Sequence, residues 1–131
     1  MGDWTHKNLR EVDDAAASFG IEGGFEARFA AGDLEAGATG LAHQVLPANG
    51  RSPFAHRHHE AEEVYVVLAG GGRMKLDDEV ISLARLDAIR VAPGVARAFE
   101  AGDDGLEILA FGARHKGDGE VLRDEDFWKD V

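Results

Sequence analysis

Three of the six histidines in this 131-residue chain fall within four positions, as His56, His58 and His59, and Glu60, Glu62 and Glu63 follow at once. Side chains on a strand alternate between its faces, so a strand here sends His56 and His58 one way and His59 the other. Neutral imidazole nitrogens with a carboxylate oxygen suit Fe, Mn, Ni, Cu or Zn. Two histidines and one carboxylate, with positions left open, form the facial arrangement of non-haem iron. The same run also reads as a solvated polar turn, because clusters such as His-Arg-His-His-Glu are common on surfaces. There is no cysteine, hence no disulfide, thiolate site or cysteine nucleophile. No nucleophile elbow, phosphate loop or Ser-His-Asp arrangement stands out.

The elements that must position these residues are short. Turn signals recur at Gly23-Gly24, Ala31-Gly32-Asp33, Ala48-Asn49-Gly50, Gly70-Gly71-Gly72, Asp77-Asp78, Pro93-Gly94 and Gly102 to Gly105. Between them lie β-type segments: Phe25–Ala30, Thr39–Leu46, Glu63–Ala69, Arg73–Leu76, Val80–Leu83, Ala88–Ala92, Ala96–Ala101 and Leu106–Gly112. Eight short strands separated by tight turns predict an all-β sandwich or barrel, not a βαβ fold. Helix is confined to a turn or two over Asn8–Ser18 and another over Asp124–Lys129, neither able to nucleate a core. The length fits one domain: a barrel core of about 25–112, an N-terminal segment 1–24 and an acidic C-terminal tail 113–131.

Glu63–Ala69 is apolar on both faces: Tyr65 and Val67 share one with Glu63, while Val64, Val66 and Leu68 occupy the other. The second face needs a cover from the other sheet, the N-terminal segment or a second subunit, and a homodimer is the preferred account. The charge is -11, from 25 acidic against 14 basic residues, which disfavours nucleic acid and anionic lipid as partners. The polar, charged first residues lack a secretory pattern, and Val64–Ala69 is too short to cross a bilayer, so a soluble cytoplasmic protein is expected.

Gly50, five residues, His56-Arg57-His58, four residues, Glu63, six residues and Gly70 together match the first motif of the cupin superfamily, with Tyr65-Val66-Val67-Leu68 also typical. Ala92-Pro93-Gly94-Val95-Ala96-Arg97-Ala98-Phe99, preceded by the strand Asp87–Val91, resembles the second. The chain is thus similar to small stand-alone cupins of the conserved-barrel type, and the likeness spans roughly Gly50 to Phe99. It implies a double-stranded β-helix (jelly-roll barrel) with short irregular or helical ends. It also implies metal ligands at His56, His58 and Glu63. Two departures stand out: Leu86 replaces the usual glycine that starts the second motif, and Arg97 falls where the family's third metal-binding histidine would be.

Arginine stays protonated and has no lone pair for a metal. A guanidinium about 5 Å from a divalent ion costs several kcal/mol at an effective dielectric near 20. Two outcomes follow. Arg97 swings aside and clamps a substrate carboxylate while the metal keeps three protein ligands. Alternatively it replaces the metal by pairing with Glu63, in a pocket that binds an organic anion alone. His43 and Gln44 face opposite ways on one strand, so only one of them points inward; His43 reads as an outer-face residue. Tyr65 reads as core or as a pocket wall offering its hydroxyl, and Phe99 lines the cavity with Arg97 or fills core. His6 and His115 read as solvated, and His59 as exposed or at a subunit contact. Phe127 and Trp128, and likewise Trp4, read as ends packing back on the barrel.

Metal-containing cupins run dioxygenase, isomerase or decarboxylase chemistry, so the likeness allows an enzyme acting on a small, carboxylate-like substrate. The other expectation is a metal-free, non-catalytic binding module in which Arg97 pairs with Glu63 or with the ligand.

Overall fold

The computed structural model describes residues 3–122 and 127–129. Its strands are β1 (Glu26–Phe29), β2 (Thr39–Leu46), β3 (Ala55–His58), β4 (Glu63–Leu76), β5 (Glu79–Leu83), β6 (Ala88–Val91), β7 (Arg97–Ala113) and β8 (Gly119–Leu122). All pairings are antiparallel: β7 pairs with β2, β3 and β4, β4 also takes β5 and β6, and β1 and β8 extend β2 and β3. The fold is the all-β jelly-roll barrel, with β4 and β7 running through both halves.

Gly70-Gly71-Gly72 and Gly102–Gly105, read as turns from the sequence, are bends inside two continuous strands. The β4–β7 register slips between Val67 and Ala69 and again between Gly70 and Gly72, as β-bulges do. Gly70 and Gly105 both have φ of +75°, and a Cβ on Gly70 would meet the Gly105 carbonyl oxygen at 2.1 Å. Glycine is required there because two backbones touch, not because the chain reverses. Two strands escaped the sequence pattern. β3 is four residues of mostly polar side chains, and β8 lies in the segment read as a tail; each is held chiefly by pairing with the other.

Alternation along β4 comes out as its pattern requires. Tyr65, Val67 and Met74 are buried with Val91, Phe99 and Ile108, while Val64, Val66 and Leu68 face outward, half-buried. The N-terminal segment shares a shallow cavity with Leu68 and His43 through His6–Arg10, and so covers part of that outer face. Its helix is only two 3₁₀ turns, Leu9–Glu11 and Ala17–Phe19, the first capped by the Asn8 side chain. Asp14 ties the segment down by accepting the N–H of Ala16 and of Ala27 on β1, at 2.9 and 3.0 Å.

Trp4 does not pack back; it is 79% exposed. At the other end Trp128 is buried against Ala55 and Ala98, with the Arg51 and Arg73 guanidinium groups over its ring, and Lys75 Nζ donates to the Phe127 carbonyl. Of the helix expected over Asp124–Lys129, residues 124–126 lie outside the described residues, and 127–129 form a turn.

Gly70→Ala is expected to cost about 2–4 kcal/mol in denaturant unfolding, through backbone collision at the crossing. Gly32→Ala, where an added Cβ meets nothing within 4 Å, should stay within about 0.5 kcal/mol of wild type.

Candidate functional site

Strand β3 carries His56 and His58 on its inward face, their rings edge to face with centroids 5.3 Å apart. A four-residue loop then returns the chain so that β4 opens with Glu63. Glu63 Oε1 lies 3.8 Å from His56 Nε2 and 3.6 Å from His58 Nε2. One ligand atom from each of the three residues falls within 4.8 Å of the others. The Tyr65 hydroxyl donates to Glu63 Oε1 and lies 3.4 Å from His56 Nε2. Its ring is core, edge-on to Phe99 at 5.0 Å, so Tyr65 is both a core residue and a polar contact of the cluster.

The returning loop is fixed by a residue the sequence did not single out. Asp118, just before β8, accepts the backbone N–H groups of His59, Glu60 and Ala61 at 3.0, 2.9 and 3.0 Å. Its Oδ2 also stands 3.6 Å from His58 Nδ1, behind the ring edge that faces Glu63. An aspartate in a Gly-Asp-Gly turn gives no local sign of a partner nearly sixty positions away. Only the β3–β8 pairing brings it there.

The protonation states suit ligation. Burial pushes the Glu63 carboxyl upward, but hydrogen bonds from His56 and Tyr65 and the nearby imidazoles outweigh it and hold the group below its ordinary range. His58 is lowered, chiefly by burial and further by His56 and the Arg97 charge, so its ring is neutral with a free lone pair at neutral pH. Burial, then the Glu63 carboxylate, holds the Tyr65 phenol well above its ordinary value, and it remains a donor. Two imidazoles and one carboxylate fit a divalent first-row metal.

Arg97 is opposite His56 in the β3–β7 register and is fully buried. It makes no ion pair with Glu63. Its Nε, Nη1 and Nη2 have no hydrogen-bond partner among the described residues. The guanidinium sits behind the cavity wall rather than in it, close enough for its charge to bear on His58 and Tyr65. The direct Arg97–Glu63 pair is therefore not formed, because Glu63 is already held by Tyr65 and the histidines.

Of the alternatives on β2, Gln44 lines the cavity and His43 does not; His43 Nε2 pairs with Glu107 at 2.9 Å on the outer face. Phe99 is core behind the site and does not line the cavity. His59 is exposed and pairs with Glu120 at 3.1 Å, while His115 sits at the cavity mouth near Glu60. The cavity is about 500 Å³ and reaches from the ligand cluster to the N-terminal segment, a wall the sequence did not foresee.

A jelly-roll barrel with a His-x-His pair and a glutamate converging in its cavity defines a cupin-type barrel. A family model described as the cupin domain matches residues 42–112, and the chain belongs to that family. An uncharacterized protein of Methanocaldococcus jannaschii is 34% identical over 70 residues, 53% of this chain and 55% of that protein; the chain thus spans about half the length of its curated relative. A cupin protein from Bacteroides fragilis shares the fold with a TM-score of 0.71 at 23% identity, over 89% of both chains. The R92A mutant of Bacillus subtilis oxalate decarboxylase does so with a TM-score of 0.74 at 16% identity, over 93% of this chain and 34% of that one. No helix among the described residues is long and apolar enough to cross a membrane.

Burial raises the Asp118 carboxyl, but the three N–H groups outweigh it and hold the group below its ordinary range. A depressed carboxylate stabilises the fold above its unfolded value and stops doing so as pH falls through the folded one. Asp118→Asn is expected to unfold at lower urea concentration than wild type near neutral pH, with the gap closing below about pH 4. Urea midpoints across that range check this; a gap that does not change with pH contradicts it.

Proposed function

We propose that the barrel pocket binds a small carboxylate-bearing molecule beside a divalent metal held by His56, His58 and Glu63, and that it supports dioxygenase- or isomerase-type chemistry. The convergence of those three ligand atoms on the wall of a cavity of about 500 Å³ carries the proposal. The metal would supply Lewis-acid polarisation of a substrate oxygen, or a site for dioxygen.

The chain's own residues set the charge of the ligand. A divalent ion and the Arg97 guanidinium outweigh the Glu63 and Asp118 carboxylates and leave the cluster with a net positive charge. In a partly buried site that charge is best offset by an anion. Without the metal, the Glu63 and Asp118 carboxylates outweigh Arg97 and the preference for an anion is lost. Arg97 acts through its field rather than as a clamp, since it lies behind the cavity wall. The Tyr65 hydroxyl fixes one Glu63 oxygen and keeps its own proton.

The burial of Arg97 without a partner favours the second reading, a metal-free and non-catalytic binding pocket. There its charge partly balances the Glu63 and Asp118 carboxylates at a distance.

Elemental analysis of purified protein is expected to find about one divalent ion per chain in wild type and at least tenfold less in His56→Ala, since losing one of three ligands removes most of the affinity. Absence of metal from both would discard the metal reading. Arg97→His, which removes a positive charge and adds a donor, should tighten metal binding by about tenfold or more.

A homodimer is part of the same proposal. On the outer face of β4 and β7, Val64, Val66 and Leu109 are half-buried and Phe111 is exposed, which supports a second copy as their cover. Light scattering should give twice the chain mass for wild type, and Val66→Asp should shift it toward the monomer. A monomeric wild type would end this part.

A further inference from the structure

We infer that the pocket's ligand is amphipathic, with a flat apolar body ending in a single carboxylate. The carboxylate end rests on the anion-binding reading above; the apolar body stands on separate observations. Four of the chain's seven phenylalanines, Phe19, Phe25, Phe29 and Phe54, line this one cavity. They arrive from different segments: the second 3₁₀ turn, the residue before β1 and its last residue, and the loop before β3. Phe19 is 62% and Phe29 53% exposed, although a folded chain gains by burying such rings. Scattered exposed aromatics are ordinary, but four converging on one cavity are not.

Beside Phe29 in the same sheet runs a small, smooth row, its register partner Ala42 with Gly40 on β2, and Ala110 and Gly112 on β7. Phenylalanines flanking small residues leave an open apolar floor suited to a planar body. A cavity of about 500 Å³ is of the size that holds a small metabolite.

His56, His58 and Glu63 gather polar chemistry at one place on the lining, and Gln44 lines the same cavity. At the mouth the charged groups are already engaged. Glu26 pairs with Arg28, Glu62 with Arg90 and Glu120 with Arg57, and the Arg114 guanidinium donates to the Ala36 carbonyl. A phosphorylated sugar or nucleotide would enter past three carboxylates and find no free cation cluster among the described residues. A monoanion with an apolar body meets a matching partner at both ends.

The test is an NMR titration of the purified, metal-loaded protein with acetate, benzoate, 2-naphthoate and 2-naphthamide. Affinity is expected to rise at least ~tenfold from acetate to benzoate and again to naphthoate, as apolar area leaves water. Naphthoate should exceed the uncharged naphthamide by a similar factor. Equal binding of acetate, benzoate and naphthoate would overturn the apolar body and leave the anion reading intact. Equal binding of naphthoate and naphthamide would overturn the carboxylate end, and with it the anion reading, while the apolar body stands.

Phe54→Leu and the more exposed Phe19→Ser should each weaken naphthoate several-fold and leave acetate unchanged. Loss of dimerisation in Phe19→Ser with naphthoate affinity unchanged would overturn the inference, assigning these rings to contact between copies.

Discussion

The pairing of β4 with β7 is the constraint on which the rest of the molecule depends. These two strands run through both halves of the barrel, and they can bend together only because their backbones approach at Gly70 and Gly105 more closely than any side chain permits. The bend has two consequences. It turns Tyr65, Val67, Met74, Phe99 and Ile108 into one shared core, and it brings Glu63 and Arg97, from opposite ends of the paired strands, to the histidines of β3. The ligand cluster is thus a by-product of how two long strands close on each other.

Electrostatics then decides what that cluster can hold. An ionised carboxylate and a guanidinium are both withdrawn from water within a few side chains of each other, yet they do not touch. Glu63 is satisfied locally by Tyr65 and the imidazoles, which leaves Arg97 with a charge and no hydrogen-bond partner among the described residues. A buried guanidinium in that position is costly unless negative charge lies nearby. Glu63 supplies part of it at a distance. The charge states of Glu63, His58 and Tyr65 therefore depend on their neighbours in the cluster.

Much of the chemistry was legible in the residues. Spacing alone placed His56 and His58 on one face, the alternation from Glu63 to Leu68 assigned an inward and an outward side, and the likeness to cupins named the ligand set. Local pattern failed where partners lie far apart in the chain. β3 and β8 are too short and polar to announce themselves, and glycine runs that mark turns elsewhere mark a crossing here. Asp118 and the four cavity phenylalanines have no common local signal, because what unites them is a surface and not a stretch of sequence.

The sequence by itself determined the donor types, their parity and the substitution of arginine for the expected histidine, because strand alternation and side-chain chemistry are properties of a few neighbouring residues. Tertiary structure decided that Arg97 stands behind the pocket with no hydrogen-bond partner among the described residues, that Gln44 and not His43 faces inward, and that the N-terminal segment walls the cavity. Each of these depends on which strands meet and in what register. That is fixed by long-range backbone pairing and close packing, which no local window of residues contains.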